Sequence, residues 1–276
     1  MLNTKSIRIS LLTLLIASFA LGQVTISPTS LFVDSQKRFQ TLLIMNPSPV
    51  AQEIKLSWEF GYPKTDEAGD ITFIYNDEEK AAVNSAAEWI RGFPKNFILE
   101  PGTRQTIRVT VKAPRGLADG TYWARLKTTS SPMSPPVGSS LDGGVSANIT
   151  FQFNQITGVF YRHGDLSTGI SIASVRAEVE DNKLQIFSNY SKSGNSPFLG
   201  TMAVSVFDAN GKNVLTEQNL VSIYYDGLRR LDMDAQNLPG GSYEYEVTFS
   251  SGRGDIPDSD IVSAPTVKAR GSFIKP

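Results

Sequence analysis

The chain has 276 residues, with 26 basic and 27 acidic side chains, one histidine and no cysteine. So even a balance offers no basic field of the kind that gathers nucleic acid or an anionic membrane, and the absence of cysteine excludes disulfide scaffolds, thiol nucleophiles and cysteine-built metal sites. The length suits one large or two medium domains.

Residues 1–22 read as a cleaved secretory signal peptide. Lys5 and Arg8 precede a nearly uncharged run from Ile9 to Leu21, and Ala20-Leu21-Gly22 places small residues ahead of a cut before Gln23. No cysteine follows to carry a lipid and no twin arginine precedes, so the Sec route to a periplasm is the expected address. No later apolar run approaches the roughly 20 residues that span a bilayer, and no membrane span is expected in the mature chain.

From there strand signals dominate. "VTI" (24–26), "LFV" (31–33), "FQTLLIM" (39–45), "AQEIKLSWEF" (51–60), "DITFIY" (70–75), "QTIRVTVKA" (105–113) and "TYWARLKTT" (121–129) are rich in β-formers and parted by Pro, Ser, Asn or Asp. One helix is expected over 77–91, capped by Asp77 and filled with alanine. The segment "SSPMSPPVGSSLDGG" (130–144) is a long loop, eleven of its fifteen residues being Ser, Pro or Gly. It runs into a strand of strict alternation, with Val145, Ala147, Ile149, Phe151 and Phe153 apolar and Ser146, Asn148, Thr150 and Gln152 polar. Alternation alone leaves two readings open: the row packs inside its own sandwich, or it is kept for a partner. The half near Phe160 can serve the core while the half near the loop serves a partner.

"RHGDLSTG" (162–169) has turn composition and marks a domain boundary, giving 23–162 and 163–276. Strands resume at 170–179, 183–190, 200–215 with a hairpin turn at Asn210-Gly211, 220–234, 241–251 and 261–274. The expected class is all-β, two tandem immunoglobulin-like β-sandwich domains after the signal peptide.

Enzyme signatures are missing. His163 is a lone histidine in the linker, no nucleophile elbow, zinc-protease helix or phosphate loop occurs, and the acids Asp66, Glu67 and Asp70 sit in a turn-like stretch. No catalytic residue, metal site or cofactor is expected. Trp58, Trp89 and Trp123 read as core residues rather than sugar platforms.

The stretch "WIRGFPKNFILEPGTRQTIRVTVKAPRGLADGTYWARLKTT" (89–129) resembles the first domain of periplasmic pilus-assembly chaperones of the chaperone–usher type. The likeness lies in Pro94, in Leu99-Glu100-Pro101-Gly102, and in Gln105 and Arg108, followed after a loop by the alternating strand and the aromatic pair with arginine, Phe160-Tyr161-Arg162. Motif-level matching covers residues 89–163. The resemblance implies an ATP-independent chaperone that lends an edge strand to secreted pilus or fibre subunits, a known mode of strand addition, and it points to an outer-membrane usher as a further candidate partner. It implies that Val145, Ala147, Ile149, Phe151 and Phe153 are the lent residues and that Arg162 is an ion-pair partner at the interdomain elbow. Two positions depart from the pattern: the family's basic pair for a client carboxylate falls on Ser30 and Gly158, and residues 23–36 carry no basic side chain. A second reading is a structural or adhesive envelope protein of tandem sandwiches, which would keep the strand permanently covered.

Overall fold

The computed structural model describes residues 23–133 and 151–276. In chain order it begins with β1 (Thr25–Ser27), β2 (Ser30–Asp34), β3 (Phe39–Met45), β4 (Gln52–Glu59), β5 (Tyr62–Thr65), β6 (Ile71–Ile74) and the helix α1 (Glu78–Asn84). Then come β7 (Ile90–Phe93), β8 (Asn96–Leu99), β9 (Arg104–Val111), β10 (Gly120–Pro132) and β11 (Phe153–His163). The remainder is β12 (Gly169–Glu180), β13 (Lys183–Ser193), β14 (Phe198–Phe207), β15 (Asn213–Ile223), β16 (Gly227–Asp234), β17 (Gly241–Ser251), a single 3-10 turn (Asp258–Asp260) and β18 (Val267–Lys275). The chain is all-β and forms immunoglobulin-like sandwiches. It divides into two compact units: the first takes the described residues before Phe60 with those in 87–112 and 124–159, and the second takes 60–86, 113–123 and everything from Phe160 on.

In the first unit a four-stranded sheet, β1-β3-β9-β7, packs against a five-stranded one, β2-β11-β10-β4-β8. The packing follows from alternation. On β3 Leu42 and Ile44 turn inward, on β4 Ile54 and Leu56, on β9 Ile107 and Val109, and all are buried. One residue row per strand is thereby removed from water, and this burial is what holds the two sheets together. The opening strand changes sheets across Pro28-Thr29, with β1 pairing β3 while β2 joins β11. Beyond β3, the buried Asn46 amide donates to the carbonyls of Val50 and Leu99 at 2.9 Å each and accepts from Ser48, so a polar side chain in the core has every bond it needs.

The second unit pairs the sheet β12-β13-β16 with β15-β14-β17-β18 around Phe198, Met202, Val204, Tyr245, Val247 and Phe249. It also holds the β5–β6 ribbon and α1. Arg229 donates to Thr65 Oγ1 and Arg230 to Asp70, both at 2.8–2.9 Å, and the Tyr62 ring meets Tyr225 edge-on at 4.7 Å. Gly69, at φ +90°, lets the ribbon turn lie against Arg230, whose Cβ stands 2.5 Å from where a side chain would begin.

Three local expectations are corrected. The helix stops at Asn84 rather than reaching residue 91, because Ser85 bridges Trp123 and the chain from Ile90 becomes β7 beside β9. Asp77 does cap it, accepting from Lys80 N at 3.0 Å. The stretch 220–234 is two strands in different sheets, broken at Tyr224-Tyr225-Asp226. The Asn210-Gly211 turn is wider than two residues, since Asp208 N bonds Lys212 O and only Gly211 takes positive φ. The two-residue hairpin with both central φ positive is instead Asp181-Asn182, between β12 and β13.

Candidate partner-binding strand

β11 lies between β2 and β10. It has 11 residues whereas β2 outside it has 5, so the shorter strand cannot accompany it along its length. Side chains along β11 change character from one end to the other. Val159, Phe160 and Tyr161 are buried, and Val159 has no exposed surface. Toward the start Phe153 is half-buried and Phe151, just before the strand, is 66% exposed. Phe153 and Val159 stand at odd positions of β11, on one face, and burial on that face falls from Val159 to Phe153 before the chain reaches the exposed Phe151 outside the strand. Between them Gln155 faces the same way and donates to Val24 O at 2.6 Å, while Asn154 accepts from Thr129 of β10 at 2.7 Å. These side-chain bonds fix the strand where the apolar row is interrupted.

β10 ends in the same direction. Its pairing with β4 continues to Pro132 opposite Gln52, Met133 N donates to Ala51 O at 2.9 Å, and the Met133 side chain is exposed. Exposed apolar side chains thus stand at Met133 and Phe151, on either side of the segment 134–150. Val145, Ala147 and Ile149 lie in that segment, outside the described residues.

Arg162 stands near the end of β11, in the second unit. It donates to the carbonyl of Asp260 in the 3-10 turn and lies 4.0 Å from that residue's carboxylate. The two departures noted in the sequence are neighbours in space: Gly158 N donates to Thr29 O at 3.2 Å, next to Ser30. The nearest basic residues in sequence, Lys37 and Arg38, are exposed in the turn after β2, where Asp34 Oδ1 accepts from Lys37 N and Arg38 Nε donates to Ser35 O. Among the described residues no cluster of His, Asp or Glu could hold a metal ion, and no helix is long and apolar enough to cross a membrane.

The unequal lengths of β11 and β2 were beyond sequence reasoning, since strand neighbours across a sheet are not adjacent in the chain. The fading burial toward Phe151 had a signal, in the replacement of an apolar residue by Gln155 on the face that Val159 occupies.

No family model and no curated protein matches the chain. Solved structures do. The chaperone–tip adhesion subunit pre-assembly complex CsuC–CsuE, from archaic chaperone–usher Csu pili of Acinetobacter baumannii, contains a chain 10% identical, matched over 89% of this chain and 97% of that one with a TM-score of 0.45. The E. coli chaperone DraB is 12% identical over 92% and 98%, TM-score 0.41. The Salmonella enterica complex of SafA pilin with the SafB chaperone gives 13% identity over 90% and 96%, TM-score 0.41.

Proposed function

We propose that this chain is a non-enzymatic periplasmic chaperone that holds secreted pilus or fibre-type subunits by lending them the strand leading into β11. The observation that carries the reading is the loss of burial toward the start of β11: Val159 fully buried, Phe153 half-buried, and Phe151 just before the strand 66% exposed. The motif resemblance over residues 89–163 supports it independently. An incomplete client sandwich supplies what the row lacks, an apolar groove and a ladder of backbone partners. Each large side chain seated there contributes roughly 1.5–3 kcal/mol before ordering costs. Left in water, the same row is an aggregation hazard. With Ser30 and Gly158 at the positions of the family's basic pair, client holding rests on side-chain insertion rather than on that pair.

The test replaces Ile149 and Phe151 by Asp and measures client stabilisation together with the fold. The expected result is a chaperone of unchanged circular dichroism and melting temperature that no longer keeps client subunits soluble. Global unfolding of the double variant would mean that the strand belongs to the protein's own core and would remove this reading in favour of the structural envelope protein. Val159→Asp is the control expected to unfold.

A further inference from the structure

Charge is shared unevenly between the two units. Among the described residues the first unit holds ten basic and five acidic residues, and the second fourteen and twenty-one. Each unit has a focus. β1, β3, β7 and β9 contain three arginines and no acid. Their register sets Phe93 opposite Arg108 and Arg108 opposite Thr41, Arg91 opposite Thr110 and Thr110 opposite Phe39, and Met45 opposite Arg104. Directly opposed residues share a face. Phe39, Leu43, Met45 and Phe93 therefore stand with Arg91, Arg104 and Arg108 on the side of the sheet turned away from Leu42, Ile44, Ile107 and Val109. Phe93 is 78% exposed, the Arg108 guanidinium lies 4.1 Å over the Phe39 ring, and none of the three arginines joins an ion pair among the described residues.

The second unit carries the complement. Residues 60–86 hold six acids and two lysines. Ile71, Phe73 and Tyr75 alternate along β6 and just past it, and Ile71 is 60% exposed; α1 buries none of its residues and leaves Val83 65% exposed. Asp66 and Glu67 flank this apolar row at the ribbon turn, Glu78 and Glu79 at the first turn of α1, and none of the four joins an ion pair among the described residues. Arg229 and Arg230 fasten the ribbon, so it meets a partner with little ordering left to do.

We propose that the arginine–aromatic sheet face of one molecule docks the acidic ribbon and helix of a second copy. Apolar rows meet and opposite charges ring them, while the net charge of −3 on residues 23–276 (24 basic, 27 acidic) leaves little overall repulsion against approach. Two different patches meet, so the contact is heterologous and propagates head to tail into rings or chains. The proposal is independent of strand lending.

Sedimentation velocity on the chain 23–276 tests it. The wild type is expected to self-associate with rising concentration at low salt and less so at about 0.5 M, where charges are screened within a few ångström. A face variant, Phe93→Ser with Arg108→Gln, and a ribbon variant, Ile71→Ser with Glu67→Gln, should each weaken self-association at least about tenfold, the weight of one lost anchor. Mixed together they should form a 1:1 dimer that grows no further, because each retains one intact patch. A wild type that stays monomeric at every concentration, a variant that still assembles, or folded variants that fail to pair would each overturn the proposal. Should either double variant lose its circular dichroism spectrum, the single changes Arg108→Gln and Glu67→Gln, both at exposed positions, carry the same comparison.

Discussion

Arg229 is a buried cation with no carboxylate beside it among the described residues. Its Nη1 donates to Thr65 and its Nη2 to the Ser222 carbonyl, each at 2.9 Å, and burial draws its pKa down. One side chain thus ties the ribbon to β15 and β16. Replacing it by Ala strands two acceptors and should cost about 2 kcal/mol in urea unfolding. Arg229→Met should cost less, since it refills the volume and removes a charge that is expensive to bury. Lys192 makes a pH prediction. Burial pulls its ammonium down to about 8, with Asp226 partly opposing, whereas an unfolded lysine titrates at about 10.4. Between those values the unfolded chain holds a proton that the folded one has released, so stability should rise with pH from about 8 to about 10. Below that window both states are protonated and this slope vanishes. Equilibrium unfolding across the range, with Lys192→Met removing the slope, checks the assignment. Neither behaviour is readable from composition, because both depend on neighbours far away in the chain.

At the scale of elements, strand positions were legible and their ends less so. Each β-rich run of the first unit gave a strand near its expected place, since alternation and turn residues are local properties. The helix over-ran for an equally local reason: alanines and a cap continue the helical pattern toward Arg91, but the pairing of Ile90–Phe93 with β9 outweighs it. The tight turn fell on Asp181-Asn182 rather than Asn210-Gly211 because the register shift between Val206 and Phe207 leaves the later loop too wide for a two-residue turn. With Asn182 at φ 64°, Asn182→Gly should be tolerated, while Asn182→Val should lower stability by about 1–2 kcal/mol by thermal melting. β11 shows the same division. The strand leading to Phe160-Tyr161-Arg162 was visible in the sequence, whereas its start at Phe153 and the loss of burial toward that end were not.

For the whole molecule the sequence carries a prediction of its own. The apolar run ending at Ala20-Leu21-Gly22 should direct export, so protein recovered from the periplasm of a Gram-negative host should begin at Gln23 by intact mass. A recovered mass that still includes residues 1–22 would contradict the signal reading. By itself the sequence determined the all-β class and most strand positions, because strand formation is written in residues two apart. It did not determine that 60–86 and 113–123 belong to the second unit, that three arginines from β7 and β9 share one face with Phe39 and Phe93, or that Phe151 lies beyond the covered part of its row. Those are matters of coverage. Whether a side chain meets water depends on which strands settle beside it, and in an antiparallel sandwich those neighbours come from anywhere along the chain.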